Sequence, residues 1–329
     1  MALGEAEIIA IIREMAGPPT PGVDVWIGDD AAAFRFAESQ VLLTTDSMYE
    51  GVHFTLETYG YSDVGWKAAA AGMSDIAAMG GQPCCLLLSL AFGEAPGEDE
   101  VRSLVGGLVE ASSPYNCALI GGDVCRSGNG LALTVTVAGT PPPGGPVLRS
   151  TARIGDVVAV TGTPGDSAAG LYVLQSGNDG LKSRFPRLME AHLRPRPRVP
   201  SGSVLAAHGV SAMEDVSDGL AADLGHICQE SGLGCRLEEE SLPISEDALL
   251  LAGECGLDPA LWSLAGGEDY ELVFTVDPLA FEGAAAALAR LGVSVSRIGS
   301  MRPPGEGCLF MRRGGEAVAL EGMGYEHFI

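Results

Sequence analysis

The sequence predicts an α+β protein built from two domains, and three observations support this fold class. The chain has 329 residues, which corresponds to about two domains at roughly 150 residues each. Hydrophobic residues make up 47% of it, enough to form a sizeable core. Apolar runs with strand and helix spacing alternate on both sides of a proline- and glycine-rich break at 141–146.

The elements of the first half follow from hydrophobic spacing and from the residues that interrupt it. Isoleucines 8, 9, 11 and 12 with Met15 predict a lead-in helix, which Gly17-Pro18-Pro19 ends. Short apolar runs then predict strands at 40–45, 84–91, 118–120 and 131–138. Between them, helical spacing predicts an alanine-rich helix at 63–79 and a second helix at 98–112.

The run Pro141-Pro142-Pro143-Gly144-Gly145-Pro146 is the clearest change in composition. We therefore expect two domains, residues 1–148 and 149–329. The second half repeats the α+β pattern, with predicted helices at 166–175, 201–208, 219–231 and 279–291. Its predicted strands lie at 156–161, 211–216, 269–276, around 293–299 and at 307–312.

Charge and composition exclude several classes of function. Nineteen basic and 43 acidic residues give a net charge of −24, which repels nucleic acid and anionic membrane surfaces. Lys67 and Lys182 are the only lysines, and no P-loop motif is present. Eight cysteines without a C-x-x-C pair indicate buried thiols of a reducing compartment and make zinc improbable. Without a basic leader or a long apolar run, we expect a cytoplasmic protein.

Acidic residues recur beside glycine or hydroxyl residues at the predicted ends of strands and starts of helices. Taken singly, each motif is explained by turn or helix-capping chemistry. Taken together, apolar strands that run directly into acids favour a site where distant carboxylates converge on Mg²⁺. The six motifs are Gly28-Asp29-Asp30, Thr44-Thr45-Asp46, Ser74-Asp75, Gly121-Gly122-Asp123, Asp215-Val216-Ser217-Asp218 and Gly266-Gly267-Glu268-Asp269.

Bridging Mg²⁺ ions would allow such an acidic pocket to bind polyphosphate without lysines. Arg149, Arg194, Arg196 and Arg198 are candidates for the remaining positive charge, although the last three fit a solvated, proline-stiffened loop equally well. The glycine-rich turn at 162–170 is a weak candidate for a phosphate cradle, and we expect Asp166 or Ser167 to cap a helix there instead.

Two further side chains fit either a role in the site or a purely structural role. His53 follows the Thr44-Thr45-Asp46 strand and is either a donor near the site or a packed core residue. Tyr325 either stacks on an aromatic ligand or anchors the C-terminal tail.

These motifs together resemble the thiamine-monophosphate kinases, a family within the superfamily of aminoimidazole ribonucleotide synthetase. The resemblance spans nearly the whole chain and depends on many motifs in the same order. Beyond the acidic motifs, it includes Glu50-Gly51-Val52-His53-Phe54, Gly65-Trp66-Lys67-Ala68, Thr161-Gly162-Thr163-Pro164-Gly165-Asp166-Ser167, His192-Leu193-Arg194-Pro195 and Gly324-Tyr325-Glu326-His327-Phe328.

The resemblance implies a two-domain fold of the aminoimidazole ribonucleotide synthetase type, with a mixed sheet and helices in each domain and dimerisation through the N-terminal sheet. It also implies that ATP phosphorylates thiamine monophosphate with several Mg²⁺ ions, without an acid-base catalytic residue. Carried over by position, the metal ligands would be Asp30, Thr44, Thr45, Asp46, Asp75, Asp123, Asp215 and Asp218. ATP would contact Gly122, Arg149 and Ser217, and the acceptor would contact His53, Glu268 and Tyr325.

The sequence departs from the family pattern in places and leaves alternatives. Gly72 and Val124 stand where relatives often have Asn and Thr, but neither replaces an expected carboxylate. A selenophosphate synthetase would need a reactive N-terminal cysteine, whereas Cys84 comes first, and a hydrogenase-maturation protein would need a C-terminal cysteine, whereas Ile329 ends the chain. Aminoimidazole ribonucleotide synthetase activity and a non-catalytic metal- or nucleotide-binding regulator stay as alternatives.

Overall fold

The computed structural model describes residues 9, 13, 22–37 and 39–325, and these residues form two mixed sheets covered by helices. The first sheet contains six strands and the second seven, and the residues between 140 and 157 connect them. The predicted α+β class and the mixed sheets are therefore confirmed. The lead-in helix predicted around Ile8 to Met15 lies outside the described residues, except for Ile9 and Arg13, which are helical.

The first sheet has the strand order β1-β2-β3-β6-β4-β5, in which only β4 and β5 pair in parallel. The helices at 61–78 and 98–112 pack on it. The elements are β1 (Val23–Val25), β2 (Ala32–Phe36), β3 (Ser39–Tyr49), α1 (Tyr61–Ala78), β4 (Gln82–Phe92), α2 (Glu98–Ser112), β5 (Ala118–Arg126) and β6 (Ala132–Thr140).

The second sheet has the order β13-β12-β9-β11-β7-β10-β8, in which only β12 and β9 are parallel. Its strands are β7 (Val157–Thr161), β8 (Ala212–Asp215), β9 (Gly234–Glu238), β10 (Leu272–Val276), β11 (Val295–Arg302), β12 (Cys308–Met311) and β13 (Ala317–Ala319). The helices are α3 (Asp166–Gln175), α4 (Asp179–Arg184), α5 (Pro186–Leu193), α6 (Val199–Ala207), α7 (Leu220–Ser231), α8 (Glu246–Cys255), α9 (Pro259–Ala265) and α10 (Phe281–Ala289).

Every strand and helix predicted between residues 40 and 312 is present, with ends that differ by a few residues. The structure adds short elements that the prediction missed, among them β1, β2 and β9 and the helices α4, α5, α8 and α9. These segments are three to ten residues long, so they carry too few apolar positions to establish a period.

Helix α1 packs against elements of both halves of the molecule. It packs on β3 and β6 of the first sheet and on α2, and it also contacts β8 and α6 of the second half. Its run of small side chains at 68–71 is buried, which permits close approach from several sides at little cost in side-chain entropy. The approach to α2 is closest at Gly65 and Gly107, where an added Cβ would lie 1.9 Å from a backbone oxygen.

The proline- and arginine-rich segment at 194–198 also joins the two halves. Trp66 Nε1 donates to Pro195 O at 2.7 Å, and Tyr115 OH donates to Pro197 O at 3.0 Å. The segment is therefore packed, and the interpretation as a solvated loop is wrong. Its arginines pair with protein carboxylates outside the acidic motifs expected to bind metal, Arg194 with Asp63 and Glu110, Arg196 with Glu190 and Arg198 with Glu271.

All eight cysteines are free thiols, but the expectation that they are buried is wrong for Cys84 and Cys125, which are exposed. Cys125 lies on β5, an edge strand of the first sheet whose residues are nearly all exposed. Among the helices that the described residues form, none is both long and apolar enough to cross a membrane.

The close contact between α1 and α2 can be tested with a matched pair of variants on α2. Gly107→Ala would force a methyl group against Ser62 O, so we expect a net loss of about 1–3 kcal/mol of stability despite the better helix propensity of Ala. Gly106→Ala, one residue away in open space, should instead stabilise by up to about 1 kcal/mol. Urea unfolding of both variants checks this contact, and equal midpoints would contradict it.

Candidate active site

Three carboxylates from separate parts of the chain meet where α1 contacts β8. Asp30 lies in the turn before β2, Asp75 in the last turn of α1, and Asp215 at the end of β8. Each offers an oxygen atom within 4.8 Å of the other two. The structure thus brings together three acids expected to share metal ions, and they come from both halves of the molecule.

The electrostatics of this acid cluster, Asp30, Asp75 and Asp215, are those of carboxylates held together against their repulsion. Burial raises the pKa of Asp75 well above its usual range, and the charges of Asp46 and Asp215 raise it further. Burial and then the charge of Asp30 raise the pKa of Asp215 in the same way. Among the described residues, Asp46 Oδ2 and Asp215 Oδ2 are buried without a hydrogen-bond partner.

Buried oxygens without donors, among like charges, fit a hard divalent cation, because a cation replaces the missing partners and removes the repulsion. The three carboxylates and the Thr44 hydroxyl beside Asp75 offer oxygen atoms, the ligands that Mg²⁺ prefers. The residues present therefore fit the metal that the sequence predicted.

Strand β3 sends alternate side chains to opposite faces of the first sheet. Thr44 is buried, and its Oγ1 donates to Asp75 Oδ2. Asp46 shares that face, and burial raises its pKa. The side chain of Thr45 is turned to the other face, where its hydroxyl contacts Thr136 Oγ1 at 3.0 Å. Thr44 and Asp46 are thus brought to the cluster, and the Thr45 side chain is not.

Arg149 supplies positive charge beside the cluster. Its guanidinium binds Asp30 through two hydrogen bonds, Nε to Oδ2 at 3.1 Å and Nη2 to Oδ1 at 2.8 Å. The same Nη2 lies 3.0 Å from Glu214 Oε1. Burial, and next the charge of Asp30, raise the pKa of Asp29 to about 7. Arg149 therefore offsets some of the negative charge and fixes the orientation of Asp30.

Glu214 is a member of this site that the sequence analysis missed. Its side chain is almost fully buried next to Asp215, and its Oε1 contacts His226 Nδ1 at 2.8 Å. Burial raises the pKa of Glu214 well above its usual range. The signal was present in β8, where two adjacent acids end an otherwise apolar segment.

The loop at 216–219 is shaped by its backbone hydrogen bonds. Asp223 Oδ2 accepts from the amides of Ser217, Asp218 and Gly219 at 3.1–3.3 Å. Ser217 O accepts from the amide of Glu268 at 2.7 Å, and Asp218 O accepts from the amide of Tyr325 at 3.0 Å. The structure therefore gathers four expected site residues here. Asp223 was missed, although an acid in the first turn of a helix is a common capping signal.

Glu268 is held by a buried cation. Lys67 is fully buried, and its Nζ lies 2.8 Å from Glu268 Oε2 and donates to Tyr59 OH at 2.6 Å. Tyr59 OH in turn contacts His192 Nε2 at 2.6 Å. Burial, and next the charge on Lys67, lowers the pKa of His192 to about 2, so this imidazole is neutral. The sequence assigned no role to Lys67, Tyr59 or His192.

Besides Thr45, three more expected residues lie apart from the acid cluster. Gly122 and Asp123 are on β5, separated from β3 by β6 and β4, which corresponds to about 14 Å at strand spacing. Gly122 has φ +153°, and an added Cβ would lie 1.8 Å from Leu88 O, so the position requires glycine. His53 lies in the turn after β3, where its Nδ1 accepts from the amide of Tyr49 at 3.0 Å.

The glycine-rich turn before α3 has its amides occupied by a distant side chain. Asp269 accepts from the amides of Gly165 and Ser167 at 2.7 and 2.9 Å. Asp166 instead binds the hydroxyls of Thr163 and Ser245. The expectation of a local cap by Asp166 or Ser167 is therefore wrong, because a residue 102 positions away from Ser167 along the chain supplies the acceptor.

The buried Lys67 gives a prediction about Glu268. In Lys67→Met, Glu268 and Tyr59 lose their cationic partner, so we expect a loss of about 1–3 kcal/mol in stability and a higher KM for the acceptor. Lys182→Met, which changes the other lysine of the chain, should alter neither quantity. Denaturant unfolding together with steady-state kinetics tests both variants, and unchanged values in Lys67→Met would contradict a positioning role.

Comparison of the chain with known proteins identifies its family. The model of the N-terminal domain of AIR synthase related proteins matches residues 28–140, and that of the C-terminal domain matches residues 153–310. Thiamine-monophosphate kinase of Escherichia coli K12 is 40% identical over 333 aligned residues, covering 100% of this chain and 99% of the relative. That of Bacillus subtilis is 37% identical, covering 93% of this chain and 94% of the relative.

A solved structure shows the same arrangement of the chain. It is described as AaThiL complexed with AMPPCP and TMP, is 33% identical in sequence, and superposes with a TM-score of 0.87 over 100% of this chain and 99% of its own. The two AIR synthase related domain models and the thiamine-monophosphate kinases that match over the full length thus agree with the two-sheet fold. The chain belongs to the thiamine-monophosphate kinase family of AIR synthase related proteins.

Proposed function

We propose that this protein transfers the terminal phosphoryl group of ATP directly to the phosphate of thiamine monophosphate, which yields thiamine diphosphate and ADP. The observation that carries the proposal is the convergence of Asp30, Asp75 and Asp215, together with the buried Oδ2 atoms of Asp215 and the neighbouring Asp46, which have no hydrogen-bond donor. The full-length likeness to AaThiL, described in complex with AMPPCP and TMP, supports both substrates.

Several Mg²⁺ ions belong to this proposal. Asp30, Asp75 and Asp215 would share ions, with Thr44 and Asp46 beside them, and Thr45, Asp123 and Asp218 would complete further sites. When bound at these residues, Mg²⁺ would supply the positive charge that offsets the negative charge of the phosphates during transfer. Asp123 on its edge strand and the Thr45 hydroxyl on the opposite face are the two assignments with least support from the geometry.

The chain itself contributes positioning. The acceptor is a phosphate monoester whose second pKa is about 6, so its attacking oxygen is already ionised near pH 7 and needs no strong general base. Arg149, Ser217 and Gly122 would orient ATP, and His53, Glu268 and Tyr325 would orient the acceptor. With the substrates held in line, the new P–O bond forms at the γ-phosphorus while the bond to the β-phosphate oxygen breaks.

The positions of Glu268 and the acid cluster suit the two ends of the acceptor. Lys67, which holds Glu268, lies two helical turns before Asp75 on α1, a separation of about 12 Å along the axis. The Glu268 carboxylate would attract the cationic thiazolium ring, whereas metal ions held by the acid cluster would bind the phosphate end. The acceptor therefore meets separate partners for its positive and negative groups.

The direct test is an assay of the purified protein with ATP, Mg²⁺ and thiamine monophosphate. We expect thiamine diphosphate to form, and an aminoimidazole ribonucleotide precursor to give no product. Binding of ATP without turnover would favour a regulator instead. A phosphorylated protein trapped by rapid quenching would contradict direct transfer between the substrates.

Asp30→Asn and Asp75→Asn keep the size of the side chain but remove a charged ligand. We expect kcat to fall on the order of 10²–10³-fold in both variants. Without metal, the stability of Asp75→Asn stays equal or increases because like charges are relieved, whereas Asp30→Asn weakens the ion pair with the largely buried Arg149 and loses stability. Asp179→Asn, at the start of α4 and away from the site, is the control with unchanged kcat. Full turnover of Asp75→Asn at saturating Mg²⁺ would refute the assignment.

We further propose that the N-terminal domain, residues 1–148, forms a homodimer through the edge of its sheet. Strand β5 is nearly all exposed, and its Ile120 and Val124 are 63% and 71% exposed. An apolar, unpaired edge of this kind is unusual without a covering partner. Val124→Asp should shift the mass measured by light scattering from dimer to monomer, whereas Val52→Asp, equally apolar but off this strand, should not.

A further inference from the structure

Three cysteines far apart in sequence meet in the second domain. Cys228 lies on α7, Cys235 on β9 and Cys308 on β12, and their sulfur atoms all lie within 4.8 Å of one another. Cys235 and Cys308 are directly opposite each other in the parallel pairing of β9 with β12. This thiol cluster is separate from the carboxylates that the proposed reaction uses.

The backbone around the thiol cluster is closely packed by two glycines. The amide of Cys235 donates to Gly307 O at 3.0 Å, and a Cβ added at Gly234 would lie 2.4 Å from that same oxygen. Gly307 has φ +69°, a conformation that favours glycine. The strands that carry Cys235 and Cys308 are therefore held in a fixed register.

The surroundings of the thiol cluster are apolar and offer soft donors. Cys228 and Cys235 are buried in a core that includes Leu237, Phe310 and Leu320, while Cys308 is half-buried and open to solvent on one side. Met301 is opposite Cys235 in the pairing of β11 with β9, so its buried thioether shares the face of the sheet that carries Cys235 and Cys308.

We propose that Cys228, Cys235 and Cys308 form a binding site for a thiophilic d¹⁰ cation such as Zn²⁺. A metal-to-sulfur distance of about 2.3 Å places the sulfurs of one coordination sphere about 4 Å apart, so only a small contraction of the cluster is needed. Three thiolates select soft ions over Mg²⁺, which takes oxygen ligands at the acid cluster. Binding displaces the three thiol protons into solvent and involves no redox step.

The position of the cluster indicates a structural role. It joins α7 to two strands near the edge of the second sheet, where β13 and β12 are the last strands. A cation shared by these three elements would tie the sheet edge to the helix whose first turn holds the loop with Ser217 and Asp218. The sequence analysis made zinc improbable because no two cysteines have C-x-x-C spacing. These three cysteines lie on separate elements and become neighbours only in the fold.

The test titrates Cd²⁺, a spectroscopic probe for such sites, into the reduced, chelator-treated full-length protein with Mg²⁺ in excess to occupy the oxygen sites. We expect the ultraviolet thiolate-to-cadmium absorption to rise to a plateau at one ion per chain, and Zn²⁺ to reverse it. Cys235→Ala and Cys308→Ser should abolish the plateau. The double variant Cys84→Ser, Cys125→Ser, which changes the two exposed thiols, should retain it.

A measurement on the unchanged protein covers the case in which the cysteine variants fail to fold. Zn²⁺ should slow alkylation of Cys308 by at least tenfold while leaving the rates at Cys84 and Cys125 unchanged. The proposal is overturned if no thiolate absorption develops, if the absorption persists in Cys235→Ala, or if Zn²⁺ leaves the alkylation rate of Cys308 unchanged. Because none of these readouts measures phosphoryl transfer, a negative result leaves the proposed kinase activity to its own assay.

Discussion

The structure depends on holding like charges together between its two halves. Asp30, Asp75 and Asp215 approach within 4.8 Å, and Asp46 and Glu214 lie beside them. Carboxylates in this position lose their hydration and repel one another, which is why the pKa values of Asp75 and Asp215 rise. A fold keeps such a cluster only where packing elsewhere compensates, and this cluster is the place that fits the proposed divalent cations.

That compensation comes largely from helix α1. It contributes Asp75 to the acid cluster and Lys67 to the ion pair with Glu268, and it packs against elements of both halves. Small residues make this possible, since Gly65 meets Leu104 O and Gly202 of α6 meets Ala77 O with no room for a Cβ. The helix therefore fixes the position of Asp75 relative to both halves through close backbone contacts, and it fixes Glu268 through the side chain of Lys67.

Three of the few basic side chains in this acidic chain hold carboxylates inside the fold. Arg149 binds Asp30 and Glu214, Lys67 binds Glu268, and Arg198 binds Glu271, all at buried or half-buried positions. Each of these cations holds a carboxylate in one orientation, because a planar guanidinium or a desolvated ammonium group restrains its partner strongly. The net charge of −24 and the small number of basic residues agree with the proposal that metal ions neutralise the phosphates.

The sequence by itself determined the α+β class, the main elements and the residue types of the site, because hydrophobic period and the placement of acids beside strand ends are local properties. The helices at 98–112 and 166–175 match their predicted bounds for this reason. Only the tertiary structure decided which side chains meet. Asp269 caps α3 from 102 residues beyond Ser167, Lys67 reaches Glu268, and Cys308 joins Cys228 and Cys235. Such contacts arise when strands and helices from distant segments pack together, and no local pattern in the chain encodes the distances between them.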